Sequence, residues 1–142
     1  MFPEPTRHIL VAIDGTQESL EALTWTQTHL IDPNSTTTQI TLLHVHEGYS
    51  PPAQNQYASF ARQHAEQERR HSASLLKHAV SHLPTTLNVN TVSKPGDPRT
   101  VIVDTAKEMQ RIHGNVTVVV GRRAKGKKGY FEGSVSDLSL ER

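Results

Sequence analysis

His8-Ile-Leu-Val-Ala-Ile-Asp14-Gly-Thr16 is a run of branched apolar residues that stops at a glycine turn. A strand covered on both faces reads this way, without polar alternation, and such strands belong to parallel sheets. Thr16 suits a helix N-cap, and Glu18 suits the first turn that follows. Leu20, Leu23, Leu30 and Ile31 then recur at helical spacing. Val118-Val-Val-Gly121 repeats the strand-to-glycine pattern near the other end of the chain, before a basic stretch and Gly133-Ser-Val-Ser136. In an open parallel sheet such strand ends gather at one edge, where ligands bind. The first segment brings a carboxylate to that edge. The second brings glycines, hydroxyls and the backbone N–H groups of a helix start.

The intervening sequence supplies the rest of the sheet. Residues 40–45 read as a second strand and 116–120 as a fourth, while 87–92 alternate more weakly, as expected near a sheet edge. A long helix is expected over about residues 54–83, with Tyr57, Phe60, Leu75, Leu76, Ala79, Val80 and Leu83 as its apolar members. Its polar middle, residues 67–71, is expected in solvent. Asp97 and Pro98 form a capped helix start, Val101, Ile102, Thr105, Met109 and Ile112 trace one face, and Gly114 suits the stop. A last helix is expected from about residue 134. The order β-α-β-α-β-α-β-α implies one α/β domain over residues 1–142, an open, mostly parallel sheet with helices on both faces.

Composition narrows the function classes. The 142 residues carry 15 Lys and Arg against 14 Asp and Glu, so bulk charge names no partner. The absence of cysteine excludes a disulfide framework, a Cys-ligated zinc and a thiolate nucleophile. No apolar run approaches the roughly 18 residues of a membrane span. The N-terminus lacks the basic start and apolar stretch of a signal peptide. A cytoplasmic protein is the expectation.

The segments together resemble the universal stress protein family over nearly the whole chain. Ile9-Leu-Val-Ala-Ile-Asp14-Gly looks like its opening strand and turn, and Thr41-Leu-Leu-His-Val45 like its second strand. Gly96-Asp97-Pro98 matches a helix start common there, and Val119-Val-Gly121-Arg-Arg with Gly133-Ser-Val-Ser136 resembles its closing signature. The resemblance implies a sandwich of the adenine nucleotide alpha-hydrolase-like type, usually a homodimer, with some members binding ATP. By that resemblance Asp14 contacts adenosine, the backbone at Ala12, Val45 and Val120 lies by the base, and Gly121, Arg123, Ala124, Gly133, Ser134, Val135 and Ser136 hold phosphates. ATP-binding members carry a glycine, two residues, a second glycine, nine residues, then Gly-Ser or Gly-Thr. Here Ala124 stands at the second glycine and eight residues separate it from Gly133. The family's last strand, which commonly builds the dimer interface, is absent after the expected final helix.

The chemistry follows from these positions. Asp14 can accept hydrogen bonds from ribose or adenine and can hold Mg2+ through water; equally, it can serve only the turn it sits in. Gly133 to Ser136 offer a helix start to an anion, or simple capping. Arg122, Arg123, Lys125, Lys127 and Lys128 can neutralise a triphosphate or form a solvated loop. Nucleic acid is disfavoured because no aromatic platform accompanies these cations. Among nine histidines, His44 and His46 share a strand face and His78 and His82 share a helix face, but neither pair has a partner at zinc spacing, and no metal site is expected. No catalytic constellation and no Walker pattern stand out, so turnover beyond slow ATP hydrolysis is not expected. Two functions follow. One is a regulatory module binding ATP or a related adenine nucleotide. The other is a nucleotide-free stress protein acting through contacts with an unknown protein partner.

Overall fold

A computed structural model of the protein describes residues 7–31, 37–46, 58–124 and 127–133. The elements run β1 (Arg7–Ala12), α1 (Gln17–His29), β2 (Thr38–His46), α2 (Ala58–Val80), β3 (Asn88–Pro95), α3 (Pro98–His113), β4 (Val116–Ala124) and β5 (Lys127–Gly133). They build one sheet in the order β3-β2-β1-β4-β5. The first four strands are parallel, and β5 pairs antiparallel with β4.

The apolar run of β1 places it at the centre. Ile9, Val11 and Ile13 pack with Leu23 of α1 and with Leu76 and Ala79 of α2 on one face. Leu10 points to the opposite face, with Leu43, Val118 and Ala106 of α3. Side chains alternate along the strand, yet residues 9–13 are all apolar because α1 and α2 cover one face and α3 the other. The expected α/β class, parallel and covered on both faces, is therefore the observed one.

Helix starts follow the expected chemistry. Thr16 caps α1, its side chain accepting from the Ser19 N–H, and Asp97 caps α3 by accepting from the Thr100 N–H, with Pro98 in the first turn. Helix α3 ends at Gly114, whose N–H donates to the Gln110 carbonyl.

Three expectations change. Phe60 and Ile112, assigned to apolar helix faces, are exposed. The polar middle of α2 is in solvent except for Glu68, which is half-buried; Ser72, one residue beyond it, is fully buried against the sheet, beside His44. Of the basic stretch expected as a loop, residues 122–124 and 127–128 belong instead to paired antiparallel strands, with Arg123 opposite Lys128 and Ala124 opposite Lys127. This fifth strand covers the outer edge of β4, which would otherwise present unpaired backbone groups. The expected last helix and Tyr57 lie outside the described residues.

Two buried imidazoles make the fold acid-sensitive. His8 is buried at the start of β1 and stacks on His113 with ring centroids 3.9 Å apart. Burial lowers its pKa below 6.5, and the neighbouring His113 adds to the effect. His44 is shifted down by burial and then by His46 and His71, against smaller opposing effects of Asp14 and Glu68. Both groups bind protons more weakly folded than unfolded, so stability falls as pH drops below about 6.5. Melting temperature should fall by a few degrees between neutral pH and pH near 5.5. His8→Phe, which keeps a ring on His113, should reduce that fall; an equal fall in the variant would remove His8 from the account.

Candidate functional site

The three central strands end at different heights, and this makes a notch. Pairing of β1 with β2 runs to Ala12↔Leu43 and continues through the Ile13 N–H to the Leu43 carbonyl at 2.8 Å. Beyond it β2 runs on to His46. Pairing of β1 with β4 ends at Val11↔Val119, and β4 runs on to Ala124. The turn Asp14-Gly15 therefore lies at the floor, between two longer strands. In this sheet the chain leaves β1 for β2 on one side, whereas β4 on the other side is reached from β3 through α3. That is a topological switch point, where open α/β sheets take ligands.

Asp14 is exposed at this floor. Its Oδ1 accepts from the Thr16 N–H at 2.9 Å and from the Thr16 hydroxyl. Its own N–H donates to Ser19 Oγ at 3.4 Å, and the Ser19 hydroxyl donates to the Thr16 carbonyl at 3.0 Å. Gly15 follows with φ +82°, a conformation that glycine adopts without strain. The carboxylate thus has a structural task, holding the turn that starts α1, and stands at the edge where a ligand would meet it.

Gly121 also has a structural task. A Cβ there would come within 2.6 Å of the Glu18 carbonyl oxygen and 3.0 Å of the Ser19 nitrogen. Its bare backbone lets the first turn of α1 lie directly on β4. The sheet brings Ala12, Asp14, Val45, Val120 and Gly121 to one edge, with Arg123 and Ala124 on the overhang of β4.

Gly133 is not at that edge. It pairs with Val118, whereas Gly121 pairs with Tyr130. The antiparallel strand carries Gly133 three positions down β4, level with Leu10 of β1. The expected juxtaposition of Asp14 with a glycine turn at Gly133 does not form, because the residues read as a loop pair as a strand. Ser134, Val135 and Ser136 lie outside the described residues.

Sequence reasoning missed a polar cluster next to Val45. His44 Nδ1 lies 2.5 Å from Ser72 Oγ, which lies 2.6 Å from Ser93 Oγ. Glu68, one turn before Ser72 on α2, meets His64 Nε2 at 3.1 Å and His46 Nδ1 at 3.7 Å. His44, Val45, His46, His64, Gln67, Glu68 and His71 line a cavity of about 350 Å³. The available signal was the spacing Ala61, Glu68, Ser72, Leu76, Ala79, Leu83, which puts two polar residues on the buried stripe of α2. His44 and His46 share a strand face, as expected, and both meet α2. Among the described residues no three His, Asp or Glu side chains form a metal-binding group.

Residues 5–138 match the universal stress protein family. The chain belongs to the universal stress protein family. No curated protein matches it at the sequence level. Among solved structures it is similar to a universal stress protein family protein from Arabidopsis thaliana with AMP bound, at a TM-score of 0.60 and 20% identity, covering 95% of this chain and 84% of that one. It is also similar to the universal stress protein UspA from Lactobacillus plantarum, at a TM-score of 0.61 and 18% identity, covering 98% of this chain and 93% of that one. These likenesses show the fold. No described helix is long and apolar enough to cross a membrane.

The Gly121 contact gives a test. Gly121→Ala places a methyl group against helix backbone that has no flexible side chain to yield, and should cost about 1–3 kcal/mol in urea unfolding. A variant as stable as the parent would show that α1 does not rest on β4.

Proposed function

We propose that this single-domain universal stress protein is a regulatory module that takes an adenine nucleotide in the notch above β1. The observation that carries the reading is the exposed Asp14 at the switch point, between the overhangs of β2 and β4. The AMP bound to the Arabidopsis relative supports an adenosine ligand. In this reading Asp14 accepts hydrogen bonds from the ribose hydroxyls, and the backbone at Ala12, Val45 and Val120 faces the base. The cavity of about 350 Å³ beside Val45 leaves room for a ring system. Gly121, Arg123 and Ala124 lie towards the phosphates, and a Mg2+ ion accompanying them would be held through water.

The register of β5 makes the nucleoside half the stronger handle. With Gly133 paired to Val118, that glycine does not bring its backbone N–H to the phosphates. The third phosphate of ATP should then add little. The module acts in the cytoplasm, as a monomer or homodimer, by altering the surface it offers a protein partner. Hydrolysis is slow at most, since the sequence carries no Walker pattern.

The displaced Gly133, and Gly121 occupied by α1, favour a second reading. In it the protein works through protein contacts without nucleotide.

Equilibrium binding separates the two. AMP and ATP should bind saturably with affinities within a few-fold of each other. Asp14→Asn keeps an acceptor for the Thr16 N–H but removes the charge, and should weaken both by about tenfold or more, the size of a lost charge-assisted hydrogen bond. Absence of binding at millimolar nucleotide would support the second reading. ATP binding far tighter than AMP would restore the phosphate turn.

A further inference from the structure

The end of α2 carries a feature that the notch does not use. His78 lies in the last turn of α2 and His82 in the turn that follows it, and both rings are exposed. Their Nε2 atoms are 3.3 Å apart. The ring planes cross at 86° with centroids 4.8 Å apart. We propose that His78 and His82 form a two-imidazole site for a divalent ion of the zinc, copper or nickel type.

The two nitrogens stand at a chelating distance. A zinc ion binds imidazole nitrogen at about 2.0–2.1 Å, usually with tetrahedral angles, so two ligating nitrogens stand about 3.3–3.4 Å apart. The observed 3.3 Å matches the bite of a four-coordinate ion.

Position and support add to this. The i, i+4 spacing places both rings on one side of the helix. The backbone of His82 is pinned, its carbonyl accepting from Gln27 Nε2 at 2.8 Å and its N–H donating to the Ala79 carbonyl at 3.1 Å. The negative end of the α2 dipole favours a cation there. Imidazole selects zinc, copper and nickel over magnesium and calcium, which prefer oxygen ligands. Among the described residues no third His, Asp or Glu joins the pair in a metal-binding group, so the other positions belong to water or an added ligand.

Zinc titration at neutral pH, followed through the imidazole proton resonances and by calorimetry, tests the site in the full chain. One zinc equivalent should bind and move the resonances of His78 and His82. His78→Gln or His82→Gln alone should weaken binding by at least the roughly tenfold that even an outer-shell change causes at a metal site. Because both rings are exposed, either variant should melt like the parent. His64→Gln serves as the control and should bind zinc as the parent does. No binding at millimolar zinc, binding indifferent to both substitutions, or movement confined to His44, His46, His64 and His71 would overturn the proposal.

Discussion

Strand β1 is hydrogen-bonded along both edges and covered on both faces, and the rest of the molecule is arranged by that double enclosure. Residues 9–11 and 13 are apolar without alternation because each faces a covered side of the sheet. The enclosure ends where the chain reaches Asp14. A carboxylate is costly inside and must emerge into water, so the central strand stops there while β2 and β4 continue past it. The notch is thus a consequence of strand lengths around a buried strand. It does not depend on a specialised loop.

The same packing explains why the glycines near the C-terminal part of the chain read ambiguously. Gly121 has a demand that no nucleotide enters: the first turn of α1 crosses β4 there at backbone distance. Its presence is therefore no measure of phosphate binding. Gly133 is drawn into β5, where pairing satisfies the backbone groups that a phosphate turn would otherwise present. In the proposed reading a ligand takes the nucleoside end of the notch, with Asp14 at its floor and the histidine-lined cavity beside Val45.

The fold was legible because its signals are periodic and local. The run into Asp14, the cap at Thr16, and the Asp97-Pro98 start of α3 each act through neighbours in sequence, and each appears where expected. The site was legible only in part. Ala12, Asp14, Val45, Val120 and Gly121 follow strand ends, and parallel strands bring their ends together whatever the loops do. Residues 122–133 offered cations and glycines, which in isolation suggest a loop. Whether they pair depends on the open edge of β4, a property of the assembled sheet. The His44–Ser72–Ser93 chain was hidden for a similar reason: a serine at position 72 looks like surface until the register of α2 against β2 is known.

Backbone amide shifts report where an adenine nucleotide touches the protein. In a titration of the labelled protein with AMP, followed by backbone amide shifts, the largest changes should fall on residues 12–16, 44–46 and 120–124. They should be absent at the opposite end of the sheet, around Arg7 and Val116. Changes clustered elsewhere, or none at saturating AMP, would contradict the assignment of the notch above β1 as the ligand site.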